Sequence, residues 1–282
     1  MTSAWELATL VRTALDEDVG EGDRTTEWTV PAERTVTARI IARAEGVIAG
    51  TEAVLETFRT LDPRVRVDLA ARDGDGVHVN DLVATLAGPA RAILTGERVA
   101  LNFLQHLSGI ATLTRRYVAA IEGTGARILD TRKTTPGMRM AEKRAVVAGG
   151  GENHRSGLFD MVLIKENHVR AAGGIAAAVD RVRARNDVGL AVEVETTNLD
   201  EVRQALEAGV DRILLDNMPH PMLRRAVELV RSAPARVETE ASGGITLETI
   251  RPIAETGVDF ISVGALTHSA PALDLSLLVD LD

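Results

Sequence analysis

Residues 131–155 gather Arg132, Lys133, Arg139, Lys143, Arg144 and Arg155 against only Glu142 and Glu152, with His154 alongside. The chain as a whole is acidic, with 32 Lys and Arg against 41 Asp and Glu and a formal net charge of −9. A compact basic island rich in Gly and Thr suits a small polyanion; nucleic acid would need a broad basic face. Arg132, His154 and Arg155 suit carboxylate recognition, since guanidinium forks grip carboxylates in bidentate fashion and an imidazole adds a donor. Met138–Val147 reads as helix, which assigns Arg144 to a solvated helix face and leaves Arg139 and Lys143 open.

Further along, Lys165 ends the apolar run MVLIK. A lysine there could be a Schiff-base nucleophile or a fixed cation for an anionic substrate. With Arg132, Lys133 and Arg155 in the same island, the fixed cation is the simpler role. Glu193 and Glu195 alternate with Val192 and Val194, so both carboxylates share one strand face. Asp216 ends the next strand. Side by side, Glu195 and Asp216 could hold sugar hydroxyls, bind Mg²⁺ or stabilise developing positive charge. Glu193 reads at least equally well as an inward structural ion pair. Two glycine turns, Ser242-Gly243-Gly244 and Val263-Gly264-Ala265, each follow a strand, as in phosphate sites built from the last loops of a barrel. The remaining histidines lack metal-ligand spacing; among them His168 and His268 stay open.

These groups need elements to hold them. Leu7, Leu10, Val11, Ala14 and Leu15 have helical spacing. Residues 35–49 alternate in hydrophobicity, and a β-rich stretch covers 65–94, so the first hundred residues read as α+β with a mostly antiparallel sheet. Glu97–Leu107 reads as helix. From there the rhythm changes. Apolar strands at 126–130, 160–165, 190–195, 211–216, 236–241 and 259–264 recur with helices between them, the spacing of βα units with parallel strands. Asn198, Asp200, Glu201 and Gly209 mark one helix's start and end. Polar groups collected at strand C-termini favour a barrel over an open doubly wound sheet.

The chain has no cysteine, which excludes disulfides, thiolate nucleophiles and Cys-based metal sites. Seven aromatic residues in 282 are too few for base-stacking platforms. The long uncharged run Val99–Thr114 carries Asn102, Gln105, His106 and Ser108, so no membrane span is expected. The acidic start lacks the pattern of a signal peptide, and a cytoplasmic protein is expected.

TRKTTPG (131–137), EKRAVVAGGGENHRSGL (142–158), LIKENH (163–168), VEVET (192–196), LLDNM (214–218), SGGI (242–245) and SVGALTHSAPALDLSL (262–277) resemble the quinolinate phosphoribosyltransferases. DEDVGEGDRTT (16–26) and GERVALNFLQHLSGIAT (96–112) fit too, so the resemblance covers nearly the whole chain. Departures are Glu166 where Asp is common, Arg144 where an aromatic is common, and Met140-Ala141. The resemblance implies transfer of phosphoribose from phosphoribosyl pyrophosphate to quinolinate, with decarboxylation and Mg²⁺, in de novo NAD synthesis. It implies an incomplete, open α/β barrel (111–264) preceded by an α/β sandwich domain (1–110, with 265–282 returning to it), in a homodimer. It carries over quinolinate binding to Arg132, His154, Arg155 and Lys165, with Arg98 from the neighbouring subunit. Thr131 falls in the first of these motifs, among the substrate-binding positions. Lys133 would meet the phosphoribosyl pyrophosphate phosphates. Glu195 and Asp216 would bind ribose and Mg²⁺, and Ser242-Gly243-Gly244 and Val263-Gly264-Ala265 would cradle the 5′-phosphate. Catalytic roles thereby fall to Lys133, Lys165, Glu195 and Asp216. Rivals are a phosphoribosyltransferase for nicotinate, a Lys165 aldolase and a non-catalytic anion binder. The number of cations exceeds what one carboxylate needs and favours quinolinate.

Overall fold

A computed structural model describes residues 4–280; residues 1–3 and 281–282, which the sequence-derived domain bounds include, lie outside the described residues. The chain opens with helices α1 (Ala4–Val19) and α2 (Arg24–Thr29). Then come β1 (Thr35–Ala42), β2 (Gly46–Val47), α3 (Thr51–Leu61), β3 (Arg66–Leu69), β4 (Gly76–Val77), β5 (Leu82–Pro89) and α4 (Ala90–Ala120). The next elements are β6 (Arg127–Leu129), α5 (Arg139–Ala148), β7 (Val162–Ile164), α6 (Glu166–Ala172), α7 (Ile175–Arg183), β8 (Val192–Thr196), α8 (Leu199–Ala208) and β9 (Arg212–Asp216). The chain closes with α9 (His220–Arg231), β10 (Glu238–Ser242), α10 (Ile250–Ala254), β11 (Phe260–Ser262), α11 (Ala265–His268) and β12 (Leu275–Val279). Two compact units result. One comprises Met1–Arg115, Thr134–Gly150 and Leu266–Asp282; the other comprises Arg116–Lys133 and Gly151–Ala265. The segment Thr134–Gly150 thus groups with the first unit, whereas the sequence reading placed it in the second domain.

In the first unit an antiparallel sheet runs in the order β12-β1-β5-β3. Strand β12 pairs with β1, Ala42 opposite Leu275 and Ala38 opposite Val279. Alternation in β1 and β5 turns one face inward, where Ile40 and Leu86 meet Ile48, Phe58, Ile93 and Leu104 in a wholly apolar core. Each such side chain, fully buried, contributes about 1.5–3 kcal/mol. Val11 and Leu15 of α1 pack on Ala53, Val99 and Phe103.

Helix α4 is 31 residues long, far beyond the expected Glu97–Leu107, and it begins at Ala90 inside the stretch read as β-rich. Gly96 and Gly109 dilute its helical signal, at about 1 kcal/mol each. Packing overrides that cost. A Cβ on Gly109 would run into the Pro271 carbonyl, and the Gln105 amide donates to Leu275 O at 2.7 Å.

In the second unit six parallel strands run in the order β6-β11-β10-β9-β8-β7. Among the described residues β6 and β7 do not pair, so the barrel is open. Residues around Glu152 lie along the free edge of β6: Glu152 N–H donates to Ile128 O at 2.8 Å and Asp130 N–H to Glu152 O at 3.1 Å. Asn198 caps α8 by accepting from Asp200 N–H and Glu201 N–H at 3.1 and 3.0 Å, and Gly209 ends it at φ 68°. Because all six strands are parallel, their C-terminal ends share one side. Lys165, Glu195, Asp216 and Ser242 are delivered there.

Candidate active site

A cavity of about 620 Å³ opens at those strand ends. Its lining brings together Thr131, Arg132, Lys133, His154, Arg155, Lys165, Glu195, Asp216, Ser242, Gly243 and Gly244. Leu163, Leu214, Asn217, Glu240 and Ser262 complete it. Val263, Gly264 and Ala265 fall outside the lining; Val263 is buried, its N–H donating to Leu129 O at 3.0 Å. Arg98 is an exposed residue of α4 in the first unit and is likewise not in this lining. The basic island therefore divides. Arg139 and Arg144 border a separate cavity of about 570 Å³ within the first unit, where Arg144 pairs with Glu52 at 2.7 Å. Lys143 is fully buried.

Lys165 is fixed at its backbone. It precedes α6, its N–H donates to His168 Nδ1 at 2.9 Å, and its carbonyl accepts from His168 N–H at 2.8 Å. His168 is thereby a capping residue. Lys165 Nζ reaches across to Glu195 Oε2 at 2.8 Å, the two side chains 48% and 16% exposed. Next to Glu195, Asp216 accepts from Asn217 Nδ2 at 2.7 Å. Asn217 sits at φ 51°, a left-handed conformation that Asn tolerates better than most residues. Gly243 is at φ 101°, and a Cβ there would run into Asn217 Oδ1. Glycine is required at this turn on both grounds. The turn at 242–244 and the Asp216 carboxylate are thus built as one piece, with Asn217 N–H also donating to Ser242 O at 2.9 Å.

Arg132 and Arg155 crowd each other. Burial and the neighbouring Arg132 charge hold the Arg155 guanidinium below its ordinary pKa, against the pull of Glu193 and Asp160. Arg132 Nε is buried with no hydrogen-bond partner. Two guanidinium groups in this state favour an anion beside them.

Beneath the cavity the barrel interior is charged. His154 Nε2 lies 3.1 Å from Glu193 Oε2 and 3.4 Å from Glu240 Oε2. Arg212 reaches Glu240 at 3.2 Å and Glu238 at 2.8 Å, and Ser262 donates to Glu240 Oε1. Glu193 and Glu240 are both fully buried. Burial opposes a charge on His154, but the hydrogen bonds and charges of Glu193 and Glu240 hold a proton at the trio up to about 9. Burial and the Glu240 charge push Glu193 up to about 7. Both shifts mean that the trio keeps a proton the unfolded chain would release. Nδ1 of His154 accepts the Arg155 N–H at 2.7 Å, so the ring is neutral with its one proton on Nε2, and the proton that the trio retains lies on the carboxylate pair. Glu193 is accordingly the inward structural carboxylate that strand alternation allowed, hydrogen-bonded to His154. Glu240, Arg212 and Ser262 went unread in the sequence, although a charge amid buried strand residues was their signal. His154, Glu193 and Glu240 also place three donor atoms within 4.8 Å of one another.

Two family models match, quinolinate phosphoribosyl transferase N-terminal domain over residues 23–108 and C-terminal domain over 110–278. A probable nicotinate-nucleotide pyrophosphorylase (carboxylating) of Bacillus subtilis is 47% identical over 94% of this chain and 90% of its own length. A chloroplastic nicotinate-nucleotide pyrophosphorylase (carboxylating) of Arabidopsis thaliana is 45% identical over 98% of this chain and 83% of its own. The solved nicotinate-nucleotide pyrophosphorylase of Francisella tularensis superposes with TM-score 0.95 at 44% identity, over 99% of this chain and 98% of that one. With both domains matched and the cavity lined as described, the chain belongs to the quinolinate phosphoribosyltransferase family.

Proposed function

We propose that this chain transfers the phosphoribosyl group of phosphoribosyl pyrophosphate to quinolinate, releasing pyrophosphate and CO₂ and giving nicotinate mononucleotide for de novo NAD synthesis. The crowded Arg132–Arg155 pair carries the reading, with Lys165 and Lys133 in the same cavity as two carboxylates and a glycine turn. So many cations exceed the need of a monocarboxylate and suit a dicarboxylate.

Arg132, Arg155 and Lys165 hold the two quinolinate carboxylates, with Thr131 and His154 bordering them. Lys133 meets the pyrophosphate end of the sugar substrate. Glu195 and Asp216 face the ribose, where their charge favours the positive charge that grows on C1 as the C1–oxygen bond to pyrophosphate breaks. The pyridine nitrogen then bonds to C1. The resulting pyridinium accepts the electron pair left when the adjacent carboxylate departs as CO₂, and that carbon takes a proton from solvent. The Ser242-Gly243-Gly244 turn cradles the 5′-phosphate through backbone N–H groups. Glu195 and Asp216 are hard oxygen donors that fit Mg²⁺, an ion held by a few carboxylates plus substrate phosphates. When bound, Mg²⁺ supplies charge neutralisation for the pyrophosphate leaving group.

Arg98 completes the acid site from a second copy in a homodimer. Mixing two inactive variants, Arg98→Ala and Lys165→Ala, regenerates activity if sites are shared between copies; no recovery rejects the sharing. No helix among the described residues is long and apolar enough to cross a membrane; the cytoplasm is the proposed compartment, tested by fractionation.

The deciding assay supplies phosphoribosyl pyrophosphate, Mg²⁺ and quinolinate labelled in its 2-carboxylate. Labelled CO₂ that depends on phosphoribosyl pyrophosphate is expected. Consumption of nicotinate instead, or of neither acid, rejects the reading. Lys165→Ala is expected to lower kcat/KM for quinolinate by about 2–5 kcal/mol, roughly 30- to several-thousand-fold. Unchanged constants would remove Lys165 from the site.

A further inference from the structure

We propose that Glu193, together with Glu240, is a positioning residue for recognition of the acid substrate: acting through the His154 ring, it sets where the Arg155 guanidinium enters the cavity. The inference rests on the reading of Arg155 as a carboxylate ligand.

Residues 151–155 run beside the edge strand β6, bridged to it at Glu152. Left to that edge, Arg155 would be poorly placed. His154 anchors it. Its backbone N–H donates to the buried Asp130 Oδ1 at 2.9 Å. Its ring spans the barrel interior to β8 and β10, ending at Glu193 and Glu240. Both ring nitrogens are engaged inside the protein. Nδ1 accepts the Arg155 N–H at 2.7 Å, so Nε2 carries the ring proton and donates to the carboxylates. A fixed ring fixes the Arg155 amide, and the amide fixes the direction of the Cα–Cβ bond. Downstream, Arg155 Nη1 donates to Met161 O at 3.3 Å.

Glu193 is fully buried and is not among the residues that line the cavity. Its Oε1 is buried with no hydrogen-bond partner. A fold selected for stability alone has no use for a half-satisfied buried carboxylate. The second oxygen, on His154, is what the site requires.

The test combines ¹⁵N spectra of histidine-labelled protein with steady-state kinetics of Glu193→Gln and Glu193→Leu. The wild-type spectrum is expected to show His154 protonated at Nε2 and unprotonated at Nδ1. Glu193→Gln retains an acceptor for Nε2–H and is expected to keep this tautomer and a quinolinate KM within about twofold of wild type. Glu193→Leu is expected to raise the quinolinate KM at least about tenfold, with the phosphoribosyl pyrophosphate KM within about twofold. A proton on Nδ1, a transition metal found on the three donors, or equal losses in both KM values would overturn the proposal. If the leucine variant does not fold, the wild-type spectrum and the glutamine variant still decide. If the wild type turns over no quinolinate, the functional reading fails while the spectrum still judges the positioning.

Discussion

The sheet core of the first unit and the barrel interior of the second are made of opposite materials. The first unit buries charge at Glu142 and Lys143 of α5, but its antiparallel sheet closes over the apolar Ile40, Phe58, Leu86 and Leu104. The open barrel of the second closes over His154, Glu193, Arg212 and Glu240, where barrels of this kind usually carry branched aliphatic layers. An apolar core fails through lost volume and fails in stability alone. A charged interior fails through lost pairing, and its failures reach the cavity above it.

The largest expected effect tests the apolar side. Phe58→Ala should lower stability by about 3–5 kcal/mol, read by denaturant unfolding, while both KM values of the folded fraction stay put. A changed KM would mean that the first unit's core is not the passive support this contrast makes it.

Next comes Arg212→Leu, which strands Glu240 among buried groups. Removing one partner of a buried pair costs about 3 kcal/mol here, the low end of its range, because His154 and Ser262 still donate to Glu240. It also removes a guanidinium 4.1 Å from the Phe260 ring. The double change Arg212→Leu with Glu240→Leu should recover much of the stability, as apolar replacement of buried ion pairs does, without recovering the quinolinate KM. Recovery of both would erase the contrast.

The smallest effect is a pH trend. The trio of His154, Glu193 and Glu240 holds its proton up to about 7 to about 9, above the ordinary 6.5 of a histidine and 4.5 of a glutamate. Raised values stabilise the fold most at low pH. This contribution is complete below about pH 4.5 and is lost as pH rises through about 7 to about 9. A melting temperature lower by a few degrees at pH 9 than at pH 6, with the slope reduced in Glu193→Gln, is expected. A flat profile would place the retained proton elsewhere.

Much of this arrangement was legible in the chain. Apolar runs punctuated by Asn198, Gly209 and the glycine turns announced the βα units, because caps and strand alternation are local physics. The cations and carboxylates at strand ends could be named for the same reason. The extent of α4 was not legible, since Gly96 and Gly109 look like breakers until the partners that need the missing Cβ are known. Nor were Glu240, Arg212 and Ser262, whose meaning lies in which strands become neighbours. His168 was left open because a capping role appears only when its ring is seen under the Lys165 amide.

The Lys165–Glu195 pair at 2.8 Å has a consequence of its own for the proposed reaction. On the proposed reading, the cation for the acid and the anion for the sugar occupy each other. Either ligand must open this contact to bind, and it opens only once; the ligand arriving second meets a receptor already released. The two binding equilibria are therefore linked, and linkage is reciprocal. An ion pair this exposed is worth about 0.2–1 kcal/mol, so each ligand should tighten the other's Kd by no more than about fivefold. On the proposed reading, a single ion pair shared between two subsites would make two chemically unlike ligands cooperate.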